Sequence, residues 1–265
     1  MEARKVTDDI TIIASYAEFP GYGYVPANAF VLKAAQPVLI DTGMVMESAI
    51  FQDTLRSVID PQDLRWLFLT HPHPDHIGSL KALLDEVPHL RLVTTFMGFG
   101  LLSLTEEISL DRLYMLNPGE TLDVGDRQLA AIKPPTYDDP STTGFLDTKS
   151  RALFSSDSFG ALLPAAANFA EEVRLDELLQ GQRLWTTMDS PWLHNIDQQR
   201  FGAQLKAIGA LEPSWILSSH LPPASTLTQT FLESLASVPD SEPFVGPNQP
   251  ALEAMLAQMG QVVPA

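Results

Sequence analysis

The run Thr70-His71-Pro72-His73-Pro74-Asp75-His76-Ile77-Gly78 limits what this chain can become more than any other stretch. Three of the chain's six histidines and one aspartate fall within it. The apolar run before it, Trp66-Leu67-Phe68-Leu69, reads as a buried strand. Pro72 and Pro74 have no backbone N–H to donate, so neither a strand nor a helix continues across them. Ser79-Leu80-Lys81-Ala82-Leu83-Leu84 then opens a helix. The imidazoles and the carboxylate therefore ride on a stiff loop at a strand's end. Two fixed φ angles hold alternate side chains in one pose, as pre-placed metal ligands require. The other histidines carry less. His89 reads as part of a surface turn, and His194 as a helix-start or rim residue.

H-x-H-x-D-H at the end of a hydrophobic strand resembles the signature of the metallo-β-lactamase superfamily. Further landmarks follow in order. Pro37-Val38-Leu39-Ile40-Asp41-Thr42-Gly43 resembles the family's strand ending in Asp-Thr-Gly. Ala152-Leu153-Phe154-Ser155-Ser156-Asp157 resembles the strand ending in a metal-bridging aspartate. Trp215-Ile216-Leu217-Ser218-Ser219-His220 resembles the strand ending in the last histidine ligand. The likeness extends over residues 8–224 and is one of order and motif. It implies a four-layer αβ/βα sandwich of two mixed sheets with helices outside. It also implies two divalent metal ions: zinc, iron or manganese. Carried over residue by residue, His71, His73 and Asp157 hold the first ion and Asp75, His76, Asp157 and His220 the second. Asp41 orients a metal-bound histidine from behind, and Thr70 and Gly78 shape the loop.

One landmark departs. Between the histidine loop and Asp157 the family carries another histidine, and this chain has Pro134-Pro135-Thr136-Tyr137-Asp138-Asp139-Pro140 instead. Asp138 falls on the missing position, and a carboxylate oxygen can ligate the same metals. Asp139, Tyr137 or a water are the alternatives, and these acids also suit a turn ahead of Pro140.

The function expected from the resemblance is a dinuclear metallo-hydrolase acting on a small molecule. A metal-activated bridging water would attack, with Asp75 and Asp157 holding the catalytic ions. The alternative is a non-haem di-iron protein that binds or reduces oxygen or nitric oxide, as in the flavodiiron branch. The spacing from Asp138 to Asp157 is similar to that branch, and an extra carboxylate suits iron. Against it, the flavodiiron loop usually carries a glutamate where His73 stands, and the residues after His220 are too few for a flavodoxin domain.

Composition bounds the rest. With 265 residues and 45% of them hydrophobic, the chain suits one globular α/β unit with a large core. Residues 1–224 are read as the main domain, and 225–265 as a helical extension with a Pro-rich connector. Sixteen basic against 33 acidic residues leave a net charge of −17, which argues against nucleic acid and anionic membranes as partners. There are no cysteines, so any metal cage must be built of nitrogen and oxygen, and a cytoplasmic setting is expected. No apolar leader opens the sequence and no run approaches the ~20 apolar residues of a membrane span. Strands are expected near 10–16, 27–32, 38–40, 64–69, 90–94, 121–124, 127–133, 143–147 and 152–155. Helices are expected near 47–58, 99–110, 169–180, 197–210 and 226–237. Trp185 and Trp192 are read as helix packing. Leu252, Met255, Leu256 and Met259 form a helical stripe that fits core packing or a homodimer contact.

Overall fold

The computed structural model describes residues 1–258. Twelve strands among them form two mixed sheets. In the first sheet, β1 (Glu2–Lys5), β2 (Ile10–Phe19), β3 (Gly23–Leu32) and β4 (Val38–Ile40) pair antiparallel in sequence order. After helix α1 (Ser48–Val58), β5 (Trp66–Phe68) joins β4 in parallel. Helix α2 (Leu80–Glu86) leads to β6 (Arg91–Thr94), and α3 (Phe96–Leu102) leads to β7 (Leu113–Met115), both parallel additions. The second sheet has the order β12-β11-β10-β9-β8, from β8 (Thr121–Asp123), β9 (Gln128–Ile132), β10 (Gly144–Asp147), β11 (Ala152–Phe154) and β12 (Trp215–Leu217). Only β11 and β12 run parallel there. Helices α4 (Leu175–Asp189) and α5 (Gln198–Gly209) lie between those two strands, and α6 (Thr228–Ala236) and α7 (Gln249–Gln258) follow.

Side-chain alternation in the strands explains the layering, because successive residues face opposite sides of a sheet. Ile10, Ile12, Phe30, Leu32, Ile40 and Phe68 of the first sheet meet Leu129, Phe145, Phe154 and Leu217 of the second in a central core. Phe68 and Phe154 both pack against Phe145, with ring centroids at 4.7 and 4.5 Å. Their neighbours Ile13, Val31, Leu39 and Leu67 point the other way, onto Phe51 and Leu55 of α1 and Leu80 and Leu83 of α2. Leu146, Leu153 and Ile216 point out of the second sheet onto Leu178 of α4, Phe201 and Leu205 of α5, and Phe231 and Leu235 of α6. The result is the expected four layers: helices, sheet, sheet, helices.

Several boundaries differ from the sequence reading. The short edge strands β1 and β7 are half-exposed and carry no clear alternation, so nothing marks them. The helix expected at 99–110 is α3, which starts at Phe96 under a Thr95 cap and stops at Leu102. The helix expected at 169–180 begins only at Leu175, after a short 3-10 turn at Ala170–Glu172, and continues to Asp189. In α7, Leu252 is exposed and Met255 and Leu256 are half-buried, while Met259 lies outside the described residues. No helix among the described residues is long and apolar enough to cross a membrane.

Candidate metal centre

Four strand ends converge on one buried spot at one end of the sandwich. β4 runs into Asp41, β5 into the loop from Thr70 to Gly78, β11 into Asp157, and β12 into His220. The loop from Thr70 folds back against the turn after β4. His76 and Gly78 are tied to it through Thr42 N–H to His76 O (2.8 Å) and Gly78 N–H to Gly43 O (2.8 Å). Gly78 has to be glycine, because a Cβ there would run into the backbone of Met44.

Asp41 organises the loop from beneath. It holds the left-handed conformation (φ 56°) that aspartate tolerates better than most residues. Its Oδ1 accepts from Thr70 N–H (2.8 Å), and its Oδ2 accepts from Thr70 Oγ1 (2.9 Å) and His76 Nδ1 (2.8 Å). Because a carboxylate only accepts, the His76 proton is fixed on Nδ1 and the lone pair sits on Nε2. His220 is set the same way, its Nδ1 donating to the Pro26 carbonyl at 2.7 Å. His71 Nδ1 has the hydroxyls of Thr70 and Ser156 as partners, each at 3.2 Å. Ser156 and Phe159, on either side of Asp157, also adopt positive φ (52° and 69°). Such conformations are costly for residues other than glycine, and here they turn the chain sharply at the site.

The inward-facing atoms then meet. Asp157 Oδ1 lies 3.2 Å from His76 Nε2 and 3.1 Å from His220 Nε2, and its Oδ2 lies 3.2 Å from His71 Nε2. Asp75 Oδ2 is 3.4 Å from His76 Nε2 and 3.3 Å from His220 Nε2. On the other side, His73 Nδ1 is 2.9 Å from Asp138 Oδ2, and His71 Nε2 is 3.7 Å from Asp138 Oδ1. Two donor groups result, with Asp157 between them: His71, His73 and Asp138 on one side, and Asp75, His76 and His220 on the other. His71 Nε2, His76 Nε2 and Asp157 Oδ1 are buried and make no hydrogen bond. Buried polar atoms are rarely left unpartnered. Three of them pointing into one spot, from nitrogen and oxygen donors of suitable type, fit a cation cage.

Electrostatics give the same picture. Burial works against charge on Asp157, but His71, His220 and His76 hold its pKa well below the usual carboxylate range. Burial likewise opposes ionisation of Asp75, and His76 and His220 outweigh it. Burial disfavours the protonated forms of His76 and His220, yet Asp75, Asp41 and Asp157 raise the first and Asp157 and Asp75 the second. The hydrogen bond with Asp138 raises His73. His71 is the exception, pushed down to about 4 by burial, which Asp157 only partly offsets. Apart from His71, the pocket favours positive charge, which a bound cation would supply.

The remaining sequence candidates have other contacts. Asp139 Oδ1 accepts from the backbone N–H (2.6 Å) and the hydroxyl of Ser141 and so caps the turn, while its Oδ2 lies 3.8 Å from His73 Nε2. The Tyr137 carbonyl accepts from Trp192 Nε1 (2.7 Å), and its ring contacts both Trp192 and the Lys133 ammonium. His89 is exposed at a turn, with Nε2 3.0 Å from the Gln62 carbonyl. His194 sits in a 3-10 turn, and its Nε2 is buried without a partner and outside the donor groups. Two residues at the site were missed by sequence reasoning. Trp185 of α4, read as helix packing, lies against the His220 ring at 4.6 Å. Asp189, the last residue of α4, brings a carboxylate beside Asp138 and Asp157. Burial raises its pKa well above the usual value, and Asp157 and Asp138 raise it further. The spacing of Trp185 and Asp189, one helical turn apart, was the only signal available.

Comparison with known proteins gives a consistent outcome. The family described as ODP family beta lactamase matches residues 25–220. An anaerobic nitric oxide reductase flavorubredoxin of Salmonella typhi is 29% identical over 167 residues, covering 62% of this chain and 35% of that protein. A flavo di-iron protein variant from Thermotoga maritima superposes with a TM-score of 0.79 at 21% identity, over 92% of this chain and 62% of that one. The rubredoxin oxygen:oxidoreductase of the anaerobe Desulfovibrio gigas superposes with a TM-score of 0.78 at 20% identity, over 92% and 63%. This chain thus spans about a third of the curated relative and somewhat under two thirds of the solved ones. These matches overturn the expectation of a metallo-hydrolase, since the names concern reduction of nitric oxide or oxygen rather than hydrolysis. The physical reason lies in the motif: H-x-H-x-D-H specifies a cage for two cations, and the same donors serve a metal-bound water or a redox metal.

Proposed function

This chain belongs to the ODP family of beta lactamases, and from that premise we propose that it is a non-haem di-iron oxidoreductase acting on oxygen or nitric oxide. The observation that carries the reading is the convergence of unpartnered buried atoms, His71 Nε2, His76 Nε2 and Asp157 Oδ1, on one spot. Support comes from the names of the relatives and from a donor set holding only imidazole and carboxylate, which suits iron. In this reading His71, His73, Asp138 and Asp157 hold the first ion, and Asp75, His76, Asp157 and His220 the second. An iron pair, when bound, supplies the one-electron exchange that reduction of a diatomic molecule requires.

The chain's own residues do the rest. Asp41 and the Pro26 carbonyl fix the tautomers of His76 and His220, so both present Nε2 inward without a rearrangement cost. Thr70 and Ser156 do the same for His71 by hydrogen bonding to Nδ1. Trp185 packs against the His220 ring and helps keep it buried. The net charge of −17 favours a small neutral substrate over an anionic one.

The test is anaerobic reconstitution of the metal-free protein with ferrous iron. We expect two iron ions per chain, a visible absorption band after oxidation, and consumption of oxygen or nitric oxide with a chemical reductant. A colourless protein that retains zinc in preference to iron and consumes neither gas would refute the reading.

A further inference from the structure

We propose that Asp189 is an additional oxygen ligand at the first metal position, delivered by the C-terminal end of α4. The proposal rests on the reading of the centre as a two-metal cage and extends its ligand set beyond the strand-end motifs. Carboxylate oxygens of Asp138, Asp157 and Asp189 lie within 4.8 Å of one another. That is close to what one cation gathers, since metal–oxygen bonds of about 2.0–2.2 Å place ligand atoms up to ~4.4 Å apart, so a small inward shift of the side chains would close the set around an ion. Independently, the His71 imidazole is fully buried, and its Nε2, without a hydrogen-bond partner, is aimed into the same cluster. It lies 3.2 Å from Asp157 Oδ2 and 3.7 Å from Asp138 Oδ1.

The fold gives no other account of this carboxylate. Asp189 closes α4, and the negative end of a helix is where an acidic side chain is least favoured. No lysine or arginine lies within 4.0 Å of Asp138, Asp157 or Asp189 among the described residues; Asp138 and Asp157 face histidines instead. Its one hydrogen bond is from the neighbouring Ser190 hydroxyl to Oδ2, at 2.9 Å. Positions 185 and 189 lie on one face of the helix, so the contact of Trp185 with His220 also turns Asp189 toward the cluster. A third carboxylate in a half-buried pocket is repelled by the other two until a cation lies between them. With Asp189, the first position would have five protein donors and the second four. A small molecule would then find its open coordination site at the second ion, beside Trp185.

Metal titration of the metal-free protein tests this, using manganese, anaerobic ferrous iron and zinc in competition with a chromophoric chelator. Wild type, Asp189→Asn and Asp189→Ala are compared, with His73→Ala marking the first binding step and Asp75→Ala the second. We expect both Asp189 variants to lose about tenfold or more in affinity at the step that His73→Ala affects, and little at the other. The metal-free Asp189→Asn protein should be as stable as wild type or more so, because a repelled carboxylate has become a neutral amide. Lower metal-free stability with unchanged metal affinity would show a purely structural residue and overturn the proposal. So would a loss at the step marked by Asp75→Ala. If wild type binds no metal at all, the reading of the cage fails and Asp189 falls with it; if wild type binds two and the variants match it, only Asp189 falls.

Discussion

Asp41→Asn should invert the tautomer of His76 and disable the second metal position while leaving the fold in place. The substitution keeps size and the tolerance of left-handed φ, so the backbone at 56° is not newly strained. It changes what the side chain can do. Today one carboxylate accepts from Thr70 N–H, Thr70 Oγ1 and His76 Nδ1. An asparagine satisfies Thr70 N–H with its carbonyl, and its NH₂ then faces the Thr70 hydroxyl and His76 Nδ1. The hydroxyl can rotate to accept, but His76 must present a lone pair at Nδ1 and move its proton to Nε2. That proton points at Asp157 and Asp75, where a metal would bind. Three charge-assisted hydrogen bonds become neutral, each worth about 1 kcal/mol less, so the metal-free protein should lose about 3 kcal/mol. Metal affinity at the second position should fall about 10- to 100-fold. Urea unfolding of the metal-free protein measures the first effect, metal titration the second, and imidazole nitrogen shifts report the tautomer directly. A variant that keeps the wild-type tautomer and binds two metals with wild-type affinity would refute the argument.

Chelation should lower the melting temperature of the loaded protein, since binding at 100 times Kd contributes about 2.7 kcal/mol to the folded state. Asp157→Ala should erase that difference, and a chelation effect that survives in this variant would exclude its bridging role. Arg127→Ala should cost about 3–5 kcal/mol without altering metal content, because Asp147, fully buried against Arg127 at 3.2 Å, would lose its counter-charge; a change in metal stoichiometry would contradict this. Burial pushes the Lys133 ammonium down to about 8, and Asp139 and Asp138 restore only part of it. Between about pH 8 and 10.5 the unfolded chain binds a proton that the folded one does not, so stability should rise with pH across that window. The slope stays below ~1.4 kcal/mol per pH unit because the group is partly exposed; Lys133→Met should remove it, and matching pH profiles in the two proteins would count against the assignment.

The parts legible in the sequence were those whose signal is local. A buried strand, an abrupt end and a polar residue just beyond it repeat at β4, β5, β11 and β12; the last three lead to donor residues and β4 to Asp41, which orients His76. Spacing alone pointed to Asp138, and the structure brings its carboxylate to His71 and His73, while Asp139, which suits the same turn before proline, caps it through Oδ1. Trp185 and Asp189 were not legible because a helix in an insert carries no motif. Its residues reach the site only through the angle at which α4 packs on the second sheet. The edge strands β1 and β7 failed for a different reason: half-exposed and short, they show neither a buried run nor alternation. The motif does not distinguish hydrolysis from redox chemistry, because it encodes donors and not electrons.

The placement of the cage at only one end of the sandwich has a mechanical consequence. His71 and Asp75 hang from the first sheet, and Asp157 and His220 from the second. Loaded metals would therefore act as a clasp across the two halves at that edge, while the opposite edge is joined by packing, the Arg127–Asp9 ion pair (2.8 Å) and backbone bonds such as Gln36 N–H to Val124 O (2.9 Å). Amide exchange should become polarised on metal loading, slowing at the ends of β5 and β12 and much less at the far ends of β2 and β3. The clasped edge would then be the last to part when the halves separate.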